Sequence, residues 1–387
     1  MQARALIIAA ISGLLAAASG GCSSLLGLED PSPDFGDDSG PRTLLSIAIK
    51  PDPLDIPLGV TVKLTAIGTF DDGSESDVTA ETEFTAESGG AIEVTDGFAK
   101  ALSPGEAMVN AMIGRISGNT RARVLPAAPD HLVFTLNSFK LKQLQSVRLR
   151  ATAVLTDGTM TDATAGTAFV SDTPAVATPS TTTPGQIDAG TQAGMATITA
   201  SLPGARSASV TINVSTKPCF PMINEFQVAG QTAGDEWVEI LNPCTMAFTV
   251  TGWTLAYRGA GTVTGGDSNA LVNLTGQLQP GDIKLFAGPD YGGANDGTML
   301  NGLGATGGAI ALRMGALSTG MIADSLTYGG AAVTPGHPFT EGTSPLPAIA
   351  ASQSAARLPY DGHDEDAGSA DFMLLTTTRT PRTRNVP

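Results

Sequence analysis

The stretch TFDDGSESDVTAETEF (Thr69–Phe84) recurs without a gap as VLTDGTMTDATAGTAF (Val154–Phe169). Both copies contain an Asp-Gly step, then an Asp-x-Thr triplet and a final Phe. A second match follows in each copy, where GEAMVNA (Gly105–Ala111) corresponds to GMATITA (Gly194–Ala200). Self-similarity at a fixed period is the sequence signature of tandem structural units. The chain therefore contains two copies of one module.

The local pattern around each copy predicts paired β-strands. The segments VTVKLTAIGTF (60–70) and SVRLRATAVLT (146–156) alternate apolar and polar residues, so one face can pack while the other contacts water. The Asp-Gly step then supplies a tight hairpin turn, because Gly adopts a positive φ at little cost. Short strands at this spacing predict a small antiparallel sandwich for each copy.

These residues resemble the group-2 bacterial immunoglobulin-like family, which also occurs in intimin- and invasin-like adhesins. The first copy has the family's residues at Leu45–Ile49, Gly59, Leu64, Ala66, Gly73, Asp77, Thr79 and Gly105. The aromatic core position holds Phe84 and Phe169, where the family usually has Trp. The resemblance implies Ig-like repeats over residues 44–125 and 130–215, which act as spacer or adhesion modules without catalytic residues.

The N-terminus has the form of a secretory signal peptide over residues 1–21. One cation precedes an apolar run (residues 5–18) that is too short to span a bilayer comfortably. The small residues before Cys22 resemble the lipobox of bacterial lipoproteins, and ordinary signal-peptidase cleavage is the alternative. Lipidation at Cys22 predicts an exported protein anchored to the cell envelope, and the resemblance favours the outer membrane or cell surface. Residues 22–43 are then the lipidated Cys and a flexible linker rich in Ser, Pro, Gly and Asp.

Charge and cysteine content narrow the choice of partners. The formal net charge of −16 repels phosphate backbones, so we predict no nucleic-acid partner. Contact with the membrane is expected through the lipid anchor alone. With Cys22 lipidated, Cys219 and Cys244 remain, and two thiols in an exported chain predict a disulfide.

From Cys219 onward the chain changes character while it stays β-prone. Six short motifs follow one another in an order that resembles the lamin tail domain of bacterial extracellular proteins. They are INEF, DEWVEILNP, TGWTL, PGDIKLFA, GGAIALRM and IADSLTYG. The closing SAARLPYDGHDEDAGSADF and TPRTRN resemble that family's ending. The resemblance implies a larger Ig-like β-sandwich over residues 219–387. Its signature positions, interpreted as structural, are Asn224, Glu225, Phe226, Glu236, Trp237, Glu239, Asn242, Gly252, Trp253, Gly281, Asp324, Tyr328 and Arg357.

Four carboxylates crowd into the first predicted hairpin of this domain, INEFQVAGQTAGDEWVEILNPC (Ile223–Cys244). Glu225 and Glu239 lie on neighbouring predicted strands and can meet if those strands pair. They could bind a cation, or they could accept hydrogen bonds that fix the hairpin. We favour the structural interpretation, because isolated acids in antiparallel sheets usually serve local structure. Adjacency of the two carboxylates would raise one pKa and strengthen the cation interpretation.

A second acidic cluster lies in DGHDEDAGSADF, which we call the acidic loop (Asp361–Asp371). Its candidate Ca²⁺ ligands are Asp361, Asp364, Asp366 and Asp371, with Glu365 between them. Hard oxygen ligands in a flexible, Gly-containing loop suit Ca²⁺, although the spacing differs from an EF-hand. A solvated acidic turn is the alternative interpretation. No other cofactor is expected.

The sequence contains no pattern that requires catalysis. It lacks a Gly-x-Ser-x-Gly elbow, and its histidines are scattered at His131, His337 and His363. GLGATG (Gly302–Gly307) matches the dinucleotide-binding fingerprint, but it precedes a predicted strand and therefore reads as a β–β loop. We predict no catalytic residues, no enzyme activity and no small-molecule substrate.

The predicted fold class is all-β, with two small Ig-like sandwiches and a larger lamin-tail sandwich after the signal peptide and a disordered linker. Two functions follow from it. The first is a non-enzymatic, surface-tethered lipoprotein whose repeats present the C-terminal domain to a protein or glycan ligand. The alternative is a Ca²⁺- or glycan-dependent binding protein that is accessory to a secreted hydrolase system.

Overall fold

The computed structural model describes residues 42–385, except residues 88, 233, 377 and 378. The predicted signal peptide, Cys22 and nearly all of the linker lie outside the described residues. Regular structure in the described part is β-strand, apart from four single-turn 3-10 helices, so the predicted all-β class is confirmed. None of these helices has the length and apolar character needed to cross a membrane.

The first repeat consists of ten strands and a 3-10 helix (Thr79–Glu81) between the fifth and sixth strands. The strands are β1 (Leu44–Lys50), β2 (Leu54–Pro57), β3 (Thr61–Lys63), β4 (Thr65–Phe70), β5 (Glu75–Asp77), β6 (Glu83–Ala86), β7 (Ile92–Thr95), β8 (Phe98–Ala101), β9 (Gly105–Ile113) and β10 (Ile116–Leu125).

The second repeat also has ten strands, with its 3-10 helix (Thr164–Gly166) at the equivalent place. The strands are β11 (Pro129–Val133), β12 (Ser138–Gln143), β13 (Ser146–Arg148), β14 (Thr152–Leu155), β15 (Met160–Asp162), β16 (Ala168–Ser171), β17 (Ala177–Pro179), β18 (Gln186–Ala189), β19 (Gly194–Ser201) and β20 (Ala208–Pro218). β20 extends beyond residue 215, the predicted end of the repeat, because it still pairs with β12 at Pro218.

The two repeats share one topology. The first has the strand orders β1-β4-β5, β2-β10-β9-β6 and β3-β8-β7. The second has β11-β14-β15, β12-β20-β19-β16 and β13-β18-β17, so each strand has its counterpart ten strands later. In both repeats one parallel pair, β2 with β10 and β12 with β20, joins otherwise antiparallel ladders. The tandem sandwiches predicted from the sequence are confirmed.

The recurring Asp-x-Thr triplet forms the same turn in both repeats. The carboxylate of Asp77 accepts the backbone N–H of Thr79 at 2.9 Å, and Asp162 accepts that of Thr164 at 2.9 Å. Each Thr hydroxyl accepts a backbone N–H from the preceding strand region, at 2.9 and 3.0 Å. Side-chain bonds to nearby backbone are what favour Asp and Thr at such turns. The sequence repeat therefore encodes a specific hydrogen-bonded corner.

The C-terminal module, which we define as residues 219–385, has twelve strands and two 3-10 helices (Gly330–Ala332 and Gly368–Ala370). The strands are β21 (Met222–Gln227), β22 (Trp237–Leu241), β23 (Phe248–Thr249), β24 (Thr254–Gly259), β25 (Asn269–Asn273), β26 (Gln277–Leu278), β27 (Ile283–Ala287), β28 (Gly297–Thr298), β29 (Gly308–Met314), β30 (Met321–Tyr328), β31 (Ser354–Arg357) and β32 (Phe372–Leu375).

Two sheets of the C-terminal module enclose its main core. One has the order β28-β27-β22-β21-β31-β32 and the other β25-β24-β29-β30, while β23 and β26 form a small ribbon. Phe226 of the first sheet contacts Tyr328 of the second, with ring centroids 5.4 Å apart. Val238, Leu255 and Leu312 are fully buried in the same core. Apolar burial on this scale is the main favourable term for folding.

The predicted Cys219–Cys244 disulfide is present, with its Cα atoms 5.7 Å apart. It spans 25 residues and so encloses the first hairpin of the C-terminal module. In the chain-entropy description a cross-link of this length stabilises the fold by about 3 kcal/mol. The backbone N–H of Cys219 also donates to the carbonyl of Gln143, at 3.1 Å. The disulfide therefore lies where the second repeat meets the C-terminal module.

Candidate functional site

Glu225 and Glu239 face each other directly across the first hairpin of the C-terminal module. A bulge in β21 between Ile223 and Glu225 sets this register, so that Phe226 enters the main core while Glu225 lies on the other side of the sheet. Both carboxylates are completely buried, since the chain continues across that side. The carboxylates of Glu225 and Glu239 are therefore adjacent, which the sequence allowed but did not establish.

Protein donors satisfy both oxygens of Glu225. The hydroxyl of Ser354 donates to Oε1 at 2.6 Å, and the hydroxyl of Thr380 donates to Oε2 at 2.7 Å. Thr380 belongs to the segment that crosses the sheet, Arg379–Asn385, which we call the C-terminal strap. Its contact with Glu225 fastens the end of the chain to the first hairpin.

Glu239 is held in the same way. The side-chain amide of Asn224 donates to Oε1 at 2.8 Å, and the backbone N–H of Arg382 in the strap donates to Oε2 at 2.7 Å. Asp361 lies beside this pair and accepts the backbone N–H of Asn385 at 2.9 Å. Each oxygen of Glu225 and Glu239 thus has a protein donor, which favours the structural interpretation of these acids.

Burial raises the pKa of all three carboxyl groups in this cluster. The pKa of Glu239 rises to about 8, because desolvation and then the charges of Glu225 and Asp361 outweigh its hydrogen bonds. Desolvation likewise raises the pKa of Glu225 and of Asp361. A carboxyl group with a pKa near 8 carries its proton at neutral pH. The raised pKa of Glu239 is the result expected of adjacent buried carboxylates, so it supports the cation interpretation as the hydrogen bonds support the structural one.

The acidic loop surrounds a buried arginine. Arg357 is completely buried, and its Nη2 lies 2.7 Å from Asp324 Oδ1. Its Nη1 lies 3.5 Å from Asp364 Oδ1 and 3.9 Å from Asp371 Oδ2. Arg357 also donates to the carbonyl of Ile223 at 2.8 Å. One guanidinium therefore joins β21, β30, β31 and the acidic loop.

A second cation reaches the acidic loop from the second repeat. Lys142 Nζ lies 2.5 Å from Asp364 Oδ2 and 3.2 Å from Asp366 Oδ1, and its side chain is only 12% exposed. Burial opposes ionisation of Asp364, but the charges of Arg357 and Lys142 hold its pKa below the usual range. Lys217 pairs with Asp366 as well. The acids that looked like metal ligands thus lie among protein cations.

The four proposed Ca²⁺ ligands do not form one group. Asp361 belongs to the Glu225–Glu239 cluster, and Asp371 accepts the backbone N–H groups of Glu365 and Ala367 at 3.0 and 2.9 Å. Among the described residues, one group of three acids brings its oxygens within 4.8 Å of one another, namely Glu341, Asp364 and Asp366. The sequence did not single out Glu341, which lies on a loop after β30 and accepts the N–H of Ser325 at 3.1 Å.

Tyr360 fixes the C-terminal module to the second repeat. Its ring packs against Phe139, with centroids 4.8 Å apart, and it belongs to the repeat's own buried core. Its hydroxyl donates to the carbonyl of Lys140 at 2.8 Å and accepts the N–H of the same residue at 3.1 Å. Gln145 is buried nearby and donates to the carbonyl of Gly362 at 2.7 Å. We call this contact region the junction.

A cavity of about 860 Å³, which we call the junction cleft, opens beside Tyr360. The second repeat supplies most of its wall, and the C-terminal module contributes residues 359–361 and 384–385. Apolar side chains such as Phe134, Leu136 and Val147 line it together with several charged groups. Its volume lies within the range of small-molecule sites, which occur preferentially at domain interfaces among other places.

The remaining signature positions form core, turns and polar contacts within the module. Trp237 packs with Leu285 in a small buried cluster, and Trp253 lies against the main core. Asn242 donates to carbonyls at Met246 and Leu278 in a turn. Gly252 and Gly281 have φ values of +87° and +78°, which side chains rarely adopt.

Glu236 is the one signature acid with an unsatisfied atom. Its Oε1 accepts the N–H of Leu303 at 3.3 Å, while its Oε2 has no hydrogen-bond partner among the described residues. Burial raises the pKa of Glu236, because desolvation disfavours its charged form. Leu303 lies in the GLGATG loop, which precedes strand β29 as expected for a β–β connection.

Sequence reasoning missed Lys142, Tyr360 and Glu341. Lys142 and Tyr360 act across the junction, where the two partners of each contact are far apart in the chain. Lys142 occupies an ordinary polar position of a strand that alternates apolar and polar residues. Tyr360 lies in the C-terminal segment that resembles the ending of the lamin tail family. No local pattern distinguishes such residues from solvated ones.

No family model matches the chain. Ice-binding protein 1 of Shewanella frigidimarina (strain NCIMB 400) is 32% identical over 117 residues. That match covers 30% of this chain and 13% of the curated relative, so the chain corresponds to a small part of that protein.

Solved structures with a similar arrangement are β-sandwich proteins. Domains 4–9 of the surface layer protein SbsC give a TM-score of 0.28 at 12% identity, covering 74% of this chain and 47% of that one. Extracellular domains 3–5 of Drosophila OTK give a TM-score of 0.27 at 10% identity, covering 45% of this chain and 63% of that one. A titin I-band fragment gives 0.23 at 13% identity, covering 66% and 97%. At these scores the likeness carries no argument about function.

Proposed function

We propose that this chain is a non-enzymatic, lipid-anchored protein of the bacterial cell envelope. In this proposal the Ig-like repeats act as a spacer that presents the C-terminal module, a lamin-tail-like sandwich, to an envelope or extracellular partner. The C-terminal module and its junction with the second repeat then form the binding end. The linker before residue 44 would hold that end away from the membrane, at up to roughly 3 Å per residue.

The junction is the observation that carries this proposal. Tyr360 of the C-terminal module completes the core of the second repeat, and Lys142 of the repeat neutralises Asp364 of the module. Backbone bonds add to them, such as the 2.7 Å bond from Ser146 N–H to the carbonyl of Pro243. A spacer that only linked independent domains would need none of these contacts. A module held in a fixed orientation on the second repeat is suited to presenting a binding surface.

Replacing Cys22 with Ala should release the protein from the membrane fraction into the soluble fraction. The reason is that several acyl chains anchor a protein firmly, at about 0.8 kcal/mol for each buried methylene. Fractionation followed by immunodetection measures the change, and Ser23→Ala is the matched control that should stay in the membrane. The released protein should then be retained on immobilised envelope material. Unchanged membrane fractionation would refute the anchor, and absence of retention would refute the binding role.

The Ca²⁺-dependent alternative depends on Glu341, Asp364 and Asp366, a group of three acids whose oxygens lie within 4.8 Å of one another. Lys142 already neutralises two of them. We therefore expect no heat on calorimetric titration of the wild-type chain with Ca²⁺ and an unchanged Tm. In Lys142→Met the carboxylates lose that cation, so Ca²⁺ should raise the Tm of this variant alone. Binding of Ca²⁺ by the wild-type chain would favour the alternative function.

A further inference from the structure

We propose that the junction cleft binds an acidic oligosaccharide, of the type built from uronic acids. This inference rests on the proposed function, because it names the ligand class for the binding end of the chain. Its basis is the combination of apolar wall, hydroxyl groups and excess guanidinium charge in one cavity of about 860 Å³. Such a volume lies in the range of small-molecule sites and accommodates a short saccharide.

The walls of the cleft match the two kinds of surface that a sugar ring offers. Phe134 and Leu136 are only partly buried, so they present apolar surface to the cavity. The C–H face of a pyranose ring can cover such surface and remove it from water. Thr135 and Thr182 line the same cavity and are exposed, so their hydroxyls can exchange hydrogen bonds with sugar hydroxyls.

The charges of the cleft favour an anionic ligand. Arg148, Arg150 and Arg384 line it, against the acids Asp162 and Asp361. Arg150 pairs with Asp162 at 3.1 Å and Arg384 with Asp361 at 3.2 Å. That leaves the exposed Arg148 without an acidic partner among the described residues. A guanidinium fork binds a carboxylate through two parallel hydrogen bonds, which a neutral sugar cannot replace.

The same charges argue against an alkyl-chain anion such as a fatty acid. Asp162 and the exposed threonine hydroxyls would lose water on contact with an alkyl chain and gain no partner. Sugar hydroxyls can donate to Asp162 while the ligand carboxylate accepts from Arg148. In a chain with 37 acids and 21 basic residues, a cavity whose arginines outnumber its acids is a local exception. Charge complementarity of this kind gives specificity as well as attraction.

The test is calorimetry with the full, lipid-free chain and two trisaccharides of equal length, trigalacturonate and neutral maltotriose. Trigalacturonate should bind and maltotriose should bind at least tenfold more weakly. Arg148→Ala should weaken trigalacturonate binding about tenfold or more, because a charge-assisted bond is lost. Arg148→Lys should lose part of the affinity, since it keeps the charge without the fork. Arg115→Ala is the matched control, as Arg115 is also exposed and lies on a turn of the first repeat.

The other outcomes overturn either this inference or the proposed function on which it rests. Equal binding of maltotriose would exclude charge recognition, and unchanged affinity in Arg148→Ala would place the site elsewhere. Tighter binding of decanoate than of trigalacturonate would assign the cleft to alkyl anions. If the chain is retained on envelope material but Arg148→Ala does not alter that retention, this inference fails while the proposed binding role stands. If the chain is not retained, the proposed function itself fails.

Discussion

Replacing Arg357 with Met should destabilise the C-terminal module by about 3–5 kcal/mol, the usual cost of removing one partner from a buried ion pair. The guanidinium is completely buried against Asp324, at 2.7 Å, and it also donates to the carbonyls of Ile223 and His363 at 2.8 and 2.9 Å. Met fills much of the same volume but supplies no donor, so Asp324 and Asp364 lose their shared cation.

The measurement is chemical denaturation followed by tryptophan fluorescence. Both tryptophans, Trp237 and Trp253, belong to the C-terminal module, so the signal reports on that module alone. The matched control is Lys284→Ala in the same module, where the lysine pairs with Asp296 at 3.2 Å and its side chain is 38% exposed. Such a pair should contribute less than about 1 kcal/mol. A free energy of unfolding for Arg357→Met within about 1 kcal/mol of wild type would contradict the role assigned to Arg357.

A double variant separates the lost ion pair from lost packing. Combining Arg357→Met with Asp324→Asn removes the isolated carboxylate, while an amide oxygen can still accept the N–H of Ile223 that now donates at 2.6 Å. The double variant should therefore be more stable than Arg357→Met. If it is less stable by the sum of the two single effects, the two residues act independently.

The repeats were predictable because their information is local. Alternation along short strands and an Asp-Gly step specify a hairpin within about a dozen residues. The Asp77-x-Thr79 triplet closes its corner through bonds to backbone nearby in the fold. Since these features recur in the second copy, both sandwiches follow from sequence. The first hairpin of the C-terminal module and its disulfide follow from similar local reasoning.

The junction was not predictable, since its contacts join residues far apart in the chain. Tyr360 bonds to Lys140, 220 positions earlier, and Lys142 reaches Asp364 across a comparable separation. The carboxylates of the acidic loop are visible in the sequence, but the cations that neutralise them come from other elements of the fold. Acid density alone therefore suggested a metal, whereas the fold supplies Arg357 and Lys142. The bulge that turns Glu225 toward Glu239 is likewise a property of sheet pairing.

Raising the pH from 5 to 9 should destabilise the C-terminal module, and Glu239→Gln should remove much of that loss. In the folded protein the pKa of Glu239 is raised from 4.5 to about 8, so its protonated form is the one that folding favours. Stability from such a group is complete below pH 4.5 and is lost as the pH rises through 8. Between pH 5 and 9, this difference between the folded and unfolded pKa of Glu239 corresponds to a loss of stability on the order of 4 kcal/mol.

Gln cannot ionise, so the variant should retain about 4 kcal/mol more of its pH 5 stability at pH 9 than the wild-type chain. The variant should still lose some stability as the pH rises, because burial also raises the pKa of Glu225, Asp361 and Glu341. Tryptophan-detected denaturation at pH 5, 7 and 9 measures the difference, with Asp290→Asn on the exposed surface of the same module as the matched control. Parallel pH profiles for wild type and Glu239→Gln would mean that Glu239 is ionised in the folded chain. The Glu225–Glu239 pair would then require a cation to balance its charge, and the cation interpretation of this hairpin would replace the structural one.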